Sequence, residues 1–580
     1  MKKHILLLTA LVLSMSATNT MAQEERTIRL RIIETSDVHG RFFPYDVSTG
    51  KEQNGTLARA SHYINKVREE WGDRLLLLDN GDILQGMPVN YWSNFVATDQ
   101  PNVAAQVMNY MRYDVAVIGN HDIETGHAVY DRWIKDMHCP VICANMVNRA
   151  TGQPYISPYK LFYRDGLKIA VLGMITPAIP NWLNEKQYQG LEFREMISTA
   201  RMWMYRLRTI ELADIVIGLF HSGDMGGIVT PEYEEDAAYR VAQQVPGFDA
   251  IFFGHDHRVH QDWVQCVDGS QVLCLDPSCN ALNVADATIE MVFRDGHLAD
   301  RRVNGSVVSI AQEPVDQQMM AHFKPVMDKV KQYVERPVGR FDSPLIGRDC
   351  YFGPSPFTDF VHNLQLKITG ADVSFNAPLN FDANIPAGPV NQGDMFKLYR
   401  YENQLYVLRM TGEEIRRHLE MSYDLWANTM TSPADHALLL DQQKQGDQQR
   451  MGFKNLTFNF DSAAGIDYEV DLTKPNGQKV RILRMSDGRP FNEIDTYKVV
   501  MNSYRGNGGG ELLTQGAGIA REELASRIIY QSDLDLRHYL TQEIERMGTV
   551  RPVANKNWRF VPEDWAGPAL QRDRKLVFGE

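Results

Sequence analysis

The stretch Ile32-Ile33-Glu34-Thr35-Ser36-Asp37-Val38-His39-Gly40 runs from an apolar strand directly into an aspartate and a histidine two residues apart. Alternate residues of an extended chain point the same way, so Asp37 and His39 can face one ion. The design recurs four times. Leu77-Leu78-Asp79-Asn80-Gly81-Asp82 has a glycine that lets the backbone turn and aim Asp82. Val117-Ile118-Gly119-Asn120-His121-Asp122, Gly218-Leu219-Phe220-His221-Ser222-Gly223 and Phe252-Phe253-Gly254-His255-Asp256-His257 follow. Each is a short apolar run closed by Asp, Asn or His.

Around these segments, short apolar runs predict strands at 28–33, 75–78, 115–118, 168–174, 214–220 and 250–253. Runs apolar at nearly every position fit strands buried on both faces. Helical stretches at 58–71 and 103–112 lie between them, which is α/β organisation. The chain has 580 residues, too many for one core. The first α/β domain is expected over residues 25–311. A polar helix over 312–335, broken by Pro337, forms a connector over 312–341. A second α/β domain is expected over 342–556, and 557–580 reads as an irregular tail.

In an open α/β sheet the carboxyl ends of the strands meet at one edge, where ligands bind. Five such clusters would converge there. Carboxylate, amide and imidazole donors suit Zn, Mn, Co or Fe without any thiolate. Two divalent ions about 3.5–4 Å apart, sharing a carboxylate, polarise phosphoryl oxygens and make water a better nucleophile. That is a hydrolytic site for phosphate esters.

Composition agrees. Hydrophobic residues make up 44% and charged residues 23%, as in ordinary soluble domains. The net charge of −13 argues against a nucleic-acid polymer as partner. Small phosphates are still admissible, because bound ions dominate the local field. Lys2 and Lys3, the apolar run Ile5 to Val12 and Thr20-Met21-Ala22 read as a leader over residues 1–22. Cleavage there predicts a periplasmic or secreted protein with no stable membrane anchor. Cys266 and Cys274 flank Asp268-Gly269 in an expected hairpin, so a disulfide and free buried thiols both stand as readings.

These segments, in this order, resemble the calcineurin-like metallophosphoesterases, and more closely the 5'-nucleotidase / 2',3'-cyclic nucleotide phosphodiesterase family. The resemblance covers nearly the whole chain after the leader. It implies an N-terminal metallophosphoesterase sandwich of two mixed sheets with flanking helices, and a C-terminal α/β domain of the 5'-nucleotidase type that binds substrate. It implies that Asp37, His39, Asp82 and His257 hold one ion. Asp82, Asn120, His221 and His255 would hold the other, with Asp82 bridging. Asn120 also faces the substrate. His121 would contact the phosphate or protonate the leaving group, a role that suits imidazole. The family often has an aspartate three residues after that histidine, and here Glu124 stands there, as the group expected to orient it.

In the second domain, Phe458-Asn459-Phe460-Asp461-Ser462-Ala463-Ala464-Gly465-Ile466-Asp467-Tyr468 and Asn502-Ser503-Tyr504-Arg505-Gly506-Asn507-Gly508-Gly509-Gly510 resemble the segments that sandwich a base in the family. The match places Phe460 and Tyr504 on the base. Asp79 to Pro88, Phe375-Asn376-Ala377-Pro378 and Tyr504-Arg505 resemble the cyclic-phosphodiesterase branch. Phe381 stands where the 5'-nucleotidase branch usually has an arginine. The expectation is a 2',3'-cyclic nucleotide phosphodiesterase/3'-nucleotidase acting on a small nucleotide. The alternatives are a 5'-nucleotidase or nucleotide-sugar hydrolase and, in another class, a secreted nucleotide-binding protein with a decayed site.

Overall fold

The computed structural model describes residues 25–441 and 452–579. The leader expected over residues 1–22 lies outside them. The strands form where the apolar runs are. In the first sheet Glu25–Thr35, Leu75–Asp79, Val115–Val117 and Val141–Ile142 run parallel. Antiparallel Asn283–Arg294 and His297–Ser309 complete it. In the second sheet Leu167–Ile175, Ile215–His221, Ala250–Phe253 and Gln271–Pro277 run parallel, with antiparallel Tyr159–Arg164 and Val259–Gln265 at its edges.

Side chains alternate across a strand, and here both faces are apolar. Ile32, Leu76, Leu78, Ile169, Ile217, Leu219 and Phe252 fill the space between the sheets. Ile33, Leu75 and Leu77 turn the other way, onto Leu57–Trp71 and Val103–Met111. Leu172, Val216 and Ile251 turn onto Met196–Thr209 and Ala238–Gln244. Two sheets with flanking helices follow directly, each fully buried aliphatic side chain contributing about 1.5–3 kcal/mol.

The connecting helix is Gln317–Val334. It begins five residues later than expected because Asp316 caps it, accepting hydrogen bonds from the backbone of Gln318 and Met319. The second domain is built on a sheet ordered Ser462–Ala464, Val373–Asn376, Thr496–Asn502, Gln404–Thr411 and Ile528–Asp535.

One expectation changes, and one open choice closes. Residues 557–580 are not an irregular tail. Trp558–Val561 is a strand pairing parallel with Ile466–Asp471, and Glu563–Phe578 is a helix whose Ala566 and Ala569 enter the second domain's core. Trp558 and Phe560 are core residues, and Trp565 and Phe578 pack against that core. Cys266 and Cys274 are both free. Cys274 faces Asp262 across the hairpin while Cys266 bonds to Ser270, so they are not cross-strand partners.

The domains meet along the edge where the first domain's parallel strands end. The Arg537 guanidinium packs against both Tyr91 of the first domain, 4.6 Å from the ring centroid, and Phe396 of the second, at 3.9 Å, two rings set nearly perpendicular to each other. Asn507 donates to the Trp182 carbonyl at 2.7 Å, and Asn184 donates to Gln531 at 2.7 Å.

Candidate active site

Three of the five ligand segments leave their strand ends by a sharp turn. Asp37, His39, Asp82, His255 and His257 have φ of +51°, +49°, +55°, +83° and +62°. Non-glycine residues seldom take this left-handed conformation, and where several do together the strain marks a functional site. Backbone bonds stitch the first two loops together. Asp37 N–H donates to the Gly81 carbonyl at 3.1 Å and His39 N–H to the Asp82 carbonyl at 2.9 Å. Asp122 gathers the third loop onto the second: its carboxylate accepts the N–H groups of Asp82, Ile83, Leu84 and Gly119 at 2.8–2.9 Å. Gly119 is needed for closeness, since a Cβ there would lie 2.2 Å from Asp82 Oδ1.

The loops bring the donors together. Asp37, His39 and His257 form one group, and Asp37, Asp82 and His221 form another. His39 Nε2 lies 3.1 Å from His257 Nε2, and His257 Nε2 lies 3.3 Å from Asp37 Oδ1. His221 Nε2 lies 2.9 Å from Asn120 Oδ1 and 3.3 Å from Asp82 Oδ2. The other nitrogen of His221 faces the Asn80 carbonyl at 2.6 Å. The set fits divalent ions. Nitrogen and oxygen atoms crowd within ligand distance of one another, and the buried Asp37 Oδ1 accepts no hydrogen bond. A buried polar atom left without a partner points to a missing one. Burial works against the Asp82 charge, yet His221, His121 and His39 hold its carboxyl well below the usual range. Burial followed by the His257 charge pushes His39 down to about 3, so its imidazole is neutral, the form that binds metals.

His255 stands apart from both groups. Its Nε2 is 3.1 Å from Glu235 Oε1 and 3.8 Å from Asp236 Oδ1. His121 joins the centre from the side, its ring centroid 5.4 Å from that of His39, and its Nδ1 lies 2.6 Å from Glu124 Oε2. Burial opposes protonation of His121, but Asp82 and Glu124 outweigh it and raise the ring to about 9. His260 groups with Asp224 and Asp256.

The second domain corrects one assignment. Phe460 is fully buried and stacks on Trp426 at 5.4 Å with the rings 2° from parallel, so it cannot receive a base. The backbone makes a short turn at Thr457–Asn459 instead of running extended, and this swings Phe460 inward. Phe458 instead lies beside Tyr504. Its half-buried ring faces that of Tyr504 with centroids 6.2 Å apart at 87°. A buried ion pair joins the two segments: Arg505 donates to Asp461 through Nε at 2.9 Å and to the Phe458 carbonyl at 2.8 Å. Gly509 lets Tyr504 lie flat over the glycine run, for a Cβ there would sit 2.5 Å from the ring. Phe381 packs against Tyr351, Phe453 and Phe578.

Sequence reasoning therefore missed Asp122, Glu235, Asp236, Phe458 and the Arg505–Asp461 pair. Asp122 closes the Gly119-Asn120-His121-Asp122 segment and could have been read as its anchor. Glu235 and Asp236 lie in an acidic run, Glu232 to Asp236, that carries no signal by itself.

Comparison with known proteins agrees with the architecture. The model of the calcineurin-like phosphoesterases matches residues 30–259, and that of the 5'-nucleotidase C-terminal domain matches residues 337–515. The chain is 27% identical to the 2',3'-cyclic-nucleotide 2'-phosphodiesterase/3'-nucleotidase of Haemophilus influenzae, over 97% of this chain and 92% of that protein. It is 27% identical to the trifunctional nucleotide phosphoesterase protein YfkN of Bacillus subtilis over 92% of its length, spanning 39% of that longer protein. The crystal structure of a candidate 5'-nucleotidase from Staphylococcus aureus superposes with a TM-score of 0.75 at 20% identity, covering 92% of this chain and 100% of that one. That likeness is one of fold.

Proposed function

From the premise that this chain belongs to the calcineurin-like phosphoesterases carrying a 5'-nucleotidase C-terminal domain, and is a metal-dependent phosphoester hydrolase, we propose that it hydrolyses 2',3'-cyclic nucleotides and 3'-nucleotides. The observation that carries the reading is the placing of two half-exposed rings, Phe458 and Tyr504, on the domain edge that meets the histidine and carboxylate cluster. A base stacked on one of these rings contributes roughly 1–3 kcal/mol and leaves its phosphate to reach across to the cluster. The cyclic branch is further supported by the Haemophilus influenzae relative and by Phe381, which offers no charge to a 5'-phosphate.

Asp37, His39, Asp82 and His257 would hold one divalent ion, and Asp82, Asn120, His221 and His255 the other. When bound, the ions supply neutralising charge for the phosphoryl oxygens and a more acidic attacking water. The chain's own residues do the rest. Asn120 presents its amide to the phosphate. His121, held through Nδ1 by Glu124, keeps its Nε2 for the phosphate or the departing ribose oxygen and delivers a proton there. Phe458 and Tyr504 fix the base, so that remote binding positions the phosphate.

Rates on 2',3'-cyclic AMP, 3'-AMP and 5'-AMP with metal-loaded protein test the reading. Faster cyclic and 3' turnover, lost in Asp82→Ala, is expected. Faster 5'-AMP turnover would move the chain to the 5'-nucleotidases. Tight nucleotide binding without ions or turnover would make it a binding protein.

A periplasmic or secreted address belongs to the same proposal. Its basis is the basic and apolar start of the sequence, and among the described residues no helix is long and apolar enough to cross a membrane. Cell fractionation checks it: the processed chain is expected outside the cytoplasm.

A further inference from the structure

Between the fourth and fifth ligand segments the chain makes a small hairpin, Gly226–Val229 paired with Glu234–Asp236. It is not needed to form the sheets, and it delivers two carboxylates to one imidazole. Glu235 Oε1 lies 3.1 Å from His255 Nε2, and Asp236 Oδ1 lies 3.8 Å from it. The two differ in what else they do. Asp236 Oδ1 accepts the Gly223 N–H at 2.9 Å, inside the hairpin's base. Glu235 uses Oε2 for the Ile228 N–H at 2.6 Å and turns Oε1 to the ring. Its backbone is fixed as well, for its carbonyl accepts the hydroxyls of Thr176 at 2.9 Å and Ser222 at 2.8 Å. A carboxylate tied down at this many points is aimed.

A histidine that binds a metal through one ring nitrogen usually gives the other N–H to a carboxylate or a carbonyl. That partner selects the tautomer, fixes the ring and makes the ligand nitrogen more basic. His221 already shows the arrangement, with Nδ1 on the Asn80 carbonyl and Nε2 towards Asp82 and Asn120. We infer that Glu235 is the positioning residue of His255: it takes the Nε2–H and leaves Nδ1 as the ring's ligand atom. The inference rests on the two-ion reading above. It also fits the charges. The set Asp82, Asn120, His221 and His255 has one carboxylate where the other set has two, so negative charge relayed through an imidazole matters most there.

Calorimetric titration of chelator-stripped full-length protein with Mn²⁺ alone tests this without reference to turnover. Wild-type protein is expected to take up two ions. Glu235→Ala should hold one of them about 10–100-fold more weakly, the usual cost of losing such a partner, and the other unchanged. Glu235→Gln keeps an accepting oxygen without the charge and should fall between. His255→Ala should weaken the same ion, and adding Glu235→Ala to it should cost no more. Two ions bound by Glu235→Ala as tightly as by wild type would overturn the assignment and leave the two-ion reading standing. Fewer than two ions on the wild-type protein would overturn the two-ion reading and Glu235's role with it. Circular dichroism of the metal-free variants checks folding, and Glu235→Gln carries the test if the alanine variant fails to fold.

Discussion

The first domain's ligand loops and the second domain's aromatic loops both have to hold a few side chains in place, and they do it differently. The candidate ligands lie at the last residue of a buried strand, as His221 does, or within four residues past its end, so the sheet fixes where they begin. Left-handed backbone at Asp37, His39, Asp82, His255 and His257 then fixes their direction. The aromatic loops hang from a turn at Thr457–Asn459 and a four-residue helix at Ser503–Gly506, tied together by Arg505 and Asp461. In the first case position follows from the chain itself. In the second it follows from a long-range ion pair, and a shift of two residues decides which ring faces Tyr504.

Five substitutions sharpen the contrast. Asp82→Ala should have the largest effect, since several kcal/mol of charge stabilisation go with it; kcat/KM for 2',3'-cyclic AMP is expected to fall by about a thousandfold or more. His121→Ala removes the positioned acid and should lower kcat by about 10²–10⁴-fold with little change in metal content, measured by elemental analysis. Phe460→Ala should act on stability alone, at about 3–5 kcal/mol in denaturant melts, as for any large core aromatic. Tyr504→Ala and Phe458→Ala should each cost about 1–3 kcal/mol, read as a raised KM for nucleotides. Neither should change the rate on bis-p-nitrophenyl phosphate, which has no base. If Phe460→Ala raised KM as Tyr504→Ala does, the distinction between the two regions would collapse.

The same contrast explains what the sequence could tell. Strand positions such as Leu75–Asp79 and Ala250–Phe253 were legible because residues buried on both faces leave an unbroken apolar run. The convergence of Asp37, His39, Asp82, Asn120, His121, His221 and His257 was legible because strand ends in parallel sheets share an edge. His255 pointing to Glu235 was not, since that contact spans an acidic hairpin with no pattern of its own. Phe460 was misplaced because its segment carries strand-like residues, and only the packing of Trp426 and Phe453 around it reveals a turn. The last helix was read as irregular because its apolar residues are scattered among charges; Ala566 and Ala569 enter the core and Trp565, Leu570, Val577 and Phe578 pack against it.

The strand Trp558–Val561 and the helix Glu563–Phe578 also set an order of assembly during synthesis. Every strand and ligand of the first domain has been made by Ser309, and Met319, Phe323 and Val330 of the connecting helix finish its outer core soon after. The second domain cannot close until more than two hundred further residues have been added, because Trp558, Phe560, Ala566 and Ala569 are part of its core. During translation the half that carries the candidate metal ligands is therefore complete well before the half that carries the aromatic loops.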